Sequence, residues 1–391
     1  MGGFHWHPEA RLFGAALELG GVAGLRPFGV WGVCAERPVE AAVSVAFGAL
    51  PFRIGALSAP APAFGFETLT SGSTGAPRRI ARTVVSWQRS FAVNAGLFGI
   101  GPGVGVAVLG RLVQSLSLYG VVEGLSLGAS VHVLDGMRPD RQRAAMAARK
   151  VQVLWASPPQ LQLVLEAGGA DLPDMRFVLI GGAKLDEGLR AGLARLCPRA
   201  VLREFYGAAE ASFISLADDT TPAHAVGRAY PGVEIGIGGP GGTAAEGRVW
   251  VRSPYVFAGY AGADAGIAEW QNGWLGLGEI GRMEDGQLVL LGRIDRMVTV
   301  AGQNAYPEAM ELFLLSLPGV MRAAVVPRPD GLRGQVLEAV LMGNGDTVQV
   351  LAALRARFGP LIAPKRVEWQ DDWPVLPSGK PDLVALARGL P

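Results

Sequence analysis

The sequence predicts a large α/β N-terminal domain with an attached β subdomain, followed by a small α+β C-terminal domain. Three observations carry this. Strand-like apolar runs at residues 104–109, 131–134, 151–155 and 177–180 alternate with helix-like segments at 138–150 and 186–196. That alternation is the pattern of α/β layers around a largely parallel sheet. From about Tyr230 the runs shorten and are closely bounded by turns, at 233–237, 247–252 and 287–291, which reads as antiparallel β structure. Beyond them two amphipathic helix patterns, 307–317 and 348–358, lie among further strands. The expected domains are 1–294 and 295–391.

Length and composition narrow the function. At about 150 residues per domain, 391 residues make two or three domains, or one large and one small. Lys and Arg number 35 against 34 Asp and Glu, a net charge of +1, which excludes nucleic-acid binding through a broad basic field. With 50% hydrophobic and 18% charged residues, the chain is far from disordered composition. Glycine and proline punctuate the apolar runs throughout instead of forming one block. The two cysteines, Cys34 and Cys197, form no paired framework or zinc spacing and read as buried thiols in a reducing compartment. The N-terminus lacks the basic start and apolar run of a signal peptide. The longest uncharged stretch, 90–110, contains Asn94, Pro102 and six glycines, and reads as a helix end, a Gly-Pro-Gly turn and a strand, not a membrane span. A cytoplasmic protein is expected.

The first chemical signal is Thr70-Ser71-Gly72-Ser73-Thr74-Gly75-Ala76-Pro77-Arg78-Arg79. Glycines let backbone N–H groups approach an anion, the hydroxyls add donors, and arginine supplies a fork suited to phosphate oxygens. On composition alone an ordinary surface turn fits as well. Other phosphate motifs fail. The sequence Gly236-Ile237-Gly238-Gly239-Pro240-Gly241 satisfies GxGxxG but leads into a strand, where a dinucleotide site needs a helix, so it reads as a hairpin turn. Histidines offer no metal site: His5 and His7 lack a third ligand, and His132 reads as a satisfied core residue. The tryptophans are too scattered for a nucleic-acid stacking platform.

Further motifs follow in a fixed order: Gly181-Gly182-Ala183, Phe205-Tyr206-Gly207-Ala208-Ala209-Glu210, the run from Gly273 to Gly281 containing Glu279, and Gly292-Arg293-Ile294-Asp295. Then come Gly302-Gln303-Asn304-Ala305-Tyr306-Pro307-Glu308 and, near the end, Leu376-Pro377-Ser378-Gly379-Lys380. Together, over about four-fifths of the chain, they resemble the adenylate-forming superfamily of acyl- and aryl-CoA synthetases, peptide-synthetase adenylation domains and luciferases. The resemblance implies an AMP-forming acid–thiol ligase using ATP, Mg²⁺ and either coenzyme A or the phosphopantetheine of a carrier protein. In such enzymes a carboxylate attacks the α-phosphate of ATP and a thiol then displaces AMP. Both first reactants are anions, so preorganised donors and cations are needed where charge develops.

By that resemblance, the loop from Thr70 to Arg78 holds the β- and γ-phosphates, and Glu210 ligates Mg²⁺. Gly181, Gly182, Ala183 and the Phe205-Tyr206-Gly207 turn frame adenine. Glu279 accepts hydrogen bonds from the ribose, with Arg293 beside it. Lys380 is the adenylating lysine, delivered by a C-terminal domain that swivels about Asp295 and then presents Gly302 toward the pantetheine tunnel.

Departures from the family pattern are Arg78 for lysine, Ala209 for threonine, Glu279 for aspartate and Leu277 for threonine. Each lost hydrogen bond to a charged group costs about 1.5–3 kcal/mol, enough to slow adenylation without abolishing it. A paralogue that binds nucleotide or acyl group without catalysis is the alternative these changes raise. The hydroxyl loop also begins early for the family, so the N-terminal region is expected to be shortened and a homo-oligomer to cover the exposed surface. The segment 110–120 is expected to contribute to the acyl pocket, although most of its residues read as helix core. The only acid between Ala107 and Leu134, Glu123, lies too far along that helix to meet a substrate ammonium. The expected substrate is therefore an aliphatic or aromatic carboxylic acid without an α-amine.

Overall fold

The computed structural model describes residues 3–14, 32–48, 51–69, 78–262, 266–375 and 381–388. They form two compact units: the first runs to Ile235 and includes Val251–Ile267, and the second comprises Gly236–Trp250 and the chain from Ala268 onward. The expected boundary at 294/295 falls on a short 3₁₀ turn, Ile294–Arg296, inside the second of these.

The first unit is built on an eight-stranded sheet. Its order is Arg11–Phe13, Ser130–Val133, Gly105–Val108, Val153–Ala156, Phe177–Ile180, Val201–Ala208, Ser212–Leu216 and Arg228–Ala229. The first six strands are parallel and the last two antiparallel. Gly105–Val108 and Val153–Ala156 are buried along their whole length, as strands covered on both faces must be. Helices Ser115–Leu127, Pro139–Ala148, Pro158–Glu166 and Glu187–Leu196 make the crossovers. Their starts are fixed locally: Ser157 and Gln160 form a capping box, and the Asp186 carboxylate accepts from Leu189 N at 2.8 Å. The stretch 90–110 is, as expected, the end of the helix Val84–Phe98, a turn and the strand Gly105–Val108.

A second sheet, in the order Gly259–Tyr260, Arg79–Arg82, Phe66–Leu69, Phe52–Ile54 and Gly32–Cys34, flanks an aromatic cluster. There Phe4 touches Phe47, Phe52, Phe66, Trp87 and Phe91. Buried in this sheet, Arg53 pairs with Glu67 and donates to the carbonyls of Gly55, Ala56, Ala59 and Pro60. A buried cation is tolerated because its donors are all engaged.

The second unit contains an antiparallel region with Gly247–Arg252 between Glu234–Ile237 and Trp274–Glu284; Glu269–Gln271 and Gln287–Arg293 also pair with Trp274–Glu284. The GxGxxG sequence is the turn of a hairpin in it, as read. Further on, Val320–Asp330 and Gly334–Gly343 form an antiparallel pair extended by parallel Arg366–Trp369. Helices Pro307–Leu315 and Thr347–Phe358 pack on one face of this sheet through Met310, Leu314, Val350 and Leu354. Leu386 of the helix Leu383–Arg388 meets Ala324, Val326 and Val340 on the other. No helix of the described residues is long and apolar enough to cross a membrane.

Two local readings need correction. Phe205, Tyr206 and Gly207 lie in the strand Val201–Ala208, not in a turn; the irregularity is a bulge between Tyr206 and Gly207. Pairing with Ser212–Leu216 supplies the hydrogen bonds that a turn sequence would otherwise satisfy locally. His132 is buried as expected and stacks on Phe13 at 4.7 Å, but its Nδ1 has no hydrogen-bond partner; burial pulls its pKa down to about 4, leaving it neutral.

Candidate active site

In the first unit, Gly181–Ala183 follow the strand Phe177–Ile180 and Phe205–Gly207 end the neighbouring strand Val201–Ala208, at the carboxyl edge of the parallel sheet where open α/β sheets bind ligands. Gly181 directly follows Phe177–Ile180, and its N–H donates to Ala156 O at 3.3 Å. A methyl on Gly181 would lie 2.3 Å from the Phe205 ring, so only glycine lets this ring lie against the backbone. Gly182 has φ +90°, open to glycine and strained for other residues. The turn is held from behind: Glu204 accepts from Leu185 N at 3.0 Å and pairs with Arg190, while Lys184 donates to Ala225 O at 2.7 Å. Burial lowers the Lys184 pKa.

Past the bulge the chain turns at Ala208–Ala211 and presents Glu210. Gly207 is required here, since a methyl on it would meet Ser212 O at 2.2 Å. The Glu210 carbonyl accepts from Phe257 N at 2.7 Å, and its carboxylate oxygen Oε1 accepts from the Tyr260 hydroxyl at 2.8 Å. Behind the turn lies Arg82, 1% exposed, which donates to Tyr255 O at 2.9 Å and to the carbonyl of Ala209. Burial pulls the Arg82 pKa down to about 9, and the Glu210 charge opposes that shift. A fully buried cation thus stands beside the turn that carries the carboxylate.

The strand leading to the hydroxyl-rich loop is tied to the proposed acyl segment. Leu69 N donates to Val113 O at 3.1 Å, Leu69 bridges Gln114, and Ser115 Oγ donates to Thr68 Oγ1 at 2.9 Å. Arg78 stands just before the strand Arg79–Arg82. Thr70, Ser71, Gly72, Ser73, Thr74 and Gly75, and likewise Lys380, lie outside the described residues.

In the second unit, Glu279 and Arg293 face each other in register across the pair Trp274–Glu284 and Gln287–Arg293. Arg293 is held by Asp295 through two parallel bonds, Nε to Oδ1 at 2.9 Å and Nη2 to Oδ2 at 2.8 Å. These bonds raise its pKa, with Glu279 adding to the effect. Gly302 and Ala301 form the two-residue turn between Val298–Val300 and Gln303–Ala305, with φ of +83° and +47°. Positive φ at both centres is what a type I′ hairpin requires. Nothing lies within 4 Å of the position a Gly302 methyl would take.

Glu210 suits a hard cation through carboxylate oxygen. Among the described residues no group of three or more His, Cys, Asp or Glu could hold a metal by itself. Glu210 would offer such an ion one carboxylate.

Sequence reasoning missed Arg82 and Tyr260. Arg82 had a weak signal, a cation inside an otherwise strand-like run; Tyr260 had none, because its role depends on the strand Gly259–Tyr260 pairing with Arg79–Arg82. Glu123 was set aside, yet it is wholly buried: Asn94 Nδ2 donates to its Oε1 at 2.7 Å and Tyr119 OH at 2.9 Å, while Oε2 has no partner. Burial pushes its pKa up to about 8.

An α/β body with a glycine turn at the carboxyl edge of its sheet, and an α+β unit downstream, define a class, and the match is specific. The AMP-binding enzyme family matches residues 66–261 and the AMP-binding enzyme C-terminal domain matches 309–380; the chain belongs to this family. An uncharacterized acyl–CoA ligase, YhfT of Bacillus subtilis, is 31% identical over 320 residues, covering 80% of this chain and 65% of that protein. Indoleacetate–CoA ligase of Aromatoleum aromaticum is 28% identical over 338 residues, covering 80% of this chain and 64% of that enzyme. The structure of the amide bond synthetase McbA from Marinactinospora thermotolerans superposes with a TM-score of 0.72 at 25% identity, over 98% of this chain and 80% of that one. The chain thus spans about two-thirds of the length of these two ligases.

Proposed function

We propose that the protein activates a carboxylic acid with MgATP and transfers the acyl group to the thiol of coenzyme A. A carboxylate oxygen attacks the α-phosphorus, the bond to pyrophosphate breaks, and an acyl adenylate forms. The thiol sulfur then attacks the acyl carbon, its proton passes to solvent, and AMP leaves with the oxygen supplied by the acid. The observation that carries this reading is the Glu210 carboxylate, bonded by the Tyr260 hydroxyl while Phe257 N holds its backbone carbonyl, on the turn that follows the strand containing Phe205.

In this reading the hydroxyl loop from Thr70 to Arg78 cradles the outer phosphates, Glu210 carries Mg²⁺, Glu279 takes the ribose hydroxyls, and Lys380 supplies an ammonium at the developing charge. The small domain beginning at Asp295 swivels between the half-reactions. The substrate is an acid without an α-amine, since Glu123 is enclosed and engaged. The cytoplasm, which supplies both ATP and coenzyme A, is the proposed location.

Acid-dependent exchange of labelled pyrophosphate into ATP tests the first half-reaction, and addition of coenzyme A, a phosphopantetheinylated carrier protein or an amine tests the acceptor. The amine arm is motivated by the likeness to McbA, the carrier arm by the shared phosphopantetheine thiol. Exchange without any transfer to coenzyme A would redirect the proposal to one of those acceptors; nucleotide binding without exchange would favour a non-catalytic paralogue.

A further inference from the structure

Gly110 lies two residues beyond the strand Gly105–Val108, at the same carboxyl edge as Gly181. A methyl built on it would lie 2.5 Å from Ser117 Oγ, 2.6 Å from Gln160 Nε2 and 3.1 Å from Gln114 Oε1. Three uncharged polar side chains, from the start of the helix Ser115–Leu127 and the first turn of Pro158–Glu166, therefore converge over one α-carbon. The absence of a side chain at position 110 is what admits them.

Their hydrogen-bonding capacity is mostly unspent. Gln160 Oε1 is used by Ser157 N at 2.9 Å, which fixes the amide and leaves its NH₂ facing the cluster. Ser117 is only 3% exposed, and among the described residues no hydrogen bond engages its hydroxyl, the Gln160 NH₂ or the Gln114 side chain. Gln114 and Gln160 are only partly buried, so water satisfies the cluster when nothing is bound, and a ligand that displaces it must bring hydrogen bonds of its own. The nearby charges are committed elsewhere, Arg111 to Glu36 and Asp135 to Arg37 at 2.9 Å, and the buried Glu123 is enclosed by Asn94 and Tyr119. The cluster is neutral, offering donors and acceptors but no counter-ion.

We propose that Ser117, Gln160 and Gln114 read a neutral hydrogen-bonding group, a hydroxyl, carbonyl or amide, on the acyl portion of the acid. The preferred substrate is then a polar-substituted acid, neither a plain hydrocarbon acid nor a dicarboxylate. This inference rests on the acid-activating reading above. It follows the asymmetry of polar recognition: a pocket built to bond a hydroxyl rejects the analogue lacking it, because its own groups are left unpaired.

The test compares kcat/KM for pyrophosphate exchange across matched acids: arylalkanoic acids with and without a ring hydroxyl, and alkanoic acids with and without a terminal hydroxyl or amide. The wild-type chain is expected to prefer the substituted member of at least one pair by about tenfold or more. In Gln160→Leu and in Ser117→Ala that ratio should fall toward one, and Gly110→Ala, which crowds the nook, should lower it as well. Equal or reversed preference in the wild-type chain would overturn the inference without any variant, so a variant that fails to fold does not block the test. An unchanged ratio in folded variants would overturn it too. Exchange with no acid at all would instead remove the proposed function, and this inference with it.

Discussion

The Tyr260 hydroxyl donates a 2.8 Å hydrogen bond to Oε1 of Glu210, linking the strand Gly259–Tyr260 to the turn that follows the Val201–Ala208 strand. In the role proposed for Glu210 a carboxylate that takes Mg²⁺ would have to hold its oxygens still, and this bond fixes one of them. Tyr260→Phe removes a hydrogen bond to a charged group, worth about 1.5–3 kcal/mol. The expected result is a rise of about tenfold or more in the Mg²⁺ concentration giving half-maximal exchange, with a loss of folding stability no larger than that range. Titration of exchange rate against free Mg²⁺ checks it, and an unaltered Mg²⁺ dependence would remove Tyr260 from the site.

Arg82 acts on the same turn from the other side. Arg82→Met leaves the carbonyls of Ala209 and Tyr255 without their buried donor, at about 1–3 kcal/mol each. Urea unfolding should show a loss of about 2–6 kcal/mol for the two together. Arg82→Lys keeps the charge but puts its donors on one nitrogen in place of the fork, and should recover part of the stability.

Glu123 sets a pH dependence. Its pKa is about 8 when buried, against 4.5 for the free side chain. Between those values the folded chain keeps a proton that the unfolded chain has lost, so stability falls as pH rises through this window, by up to about 1.4 kcal/mol per pH unit. Above pH 8 the contribution levels off because both states are ionised. Glu123→Gln can keep the bonds from Asn94 and Tyr119 to its carbonyl oxygen and has nothing to ionise. Denaturant midpoints measured from pH 5 to 9 should decline less steeply in the variant, which should be the more stable of the two at pH 8. Parallel profiles would show that Glu123 carries no such proton.

Much of this was legible before any coordinates. The alternation of apolar runs gave the parallel strands 105–108, 153–156 and 177–180 to within two residues at each end, because strands buried on both faces read as unbroken apolar runs. Gly181, Gly207 and Glu210 were identifiable from motif order, and crowding by the Phe205 ring at Gly181 and by the Ser212 carbonyl at Gly207 explains both glycines. What stayed hidden depends on tertiary pairing. Arg82, Tyr260 and the Gly110–Gln160 approach join residues between 50 and 173 positions apart, and no local pattern announces such contacts. Glu123 was read as a bystander because helix spacing gives direction but not depth.

Lys380 and Asp295 should separate the two half-reactions. Lys380→Ala is expected to lower adenylate formation by at least about a hundredfold, while thioester formation from supplied acyl adenylate continues. Asp295→Pro should do the reverse: it restricts the swivel, and it also removes the Arg293 partner. Stopped assays of each half-reaction read both effects, and equal losses in both steps for Lys380→Ala would contradict its assignment.

The most direct measurement follows the acid's own oxygen. With ¹⁸O in the carboxylate of an accepted acid, MgATP and coenzyme A, turnover through an acyl adenylate must leave one ¹⁸O in the phosphate of AMP, detectable by mass spectrometry. Label in AMP, with none in pyrophosphate, is the predicted result. Turnover that left AMP unlabelled, or put the label into orthophosphate, would contradict the central claim that this chain joins an acid to AMP.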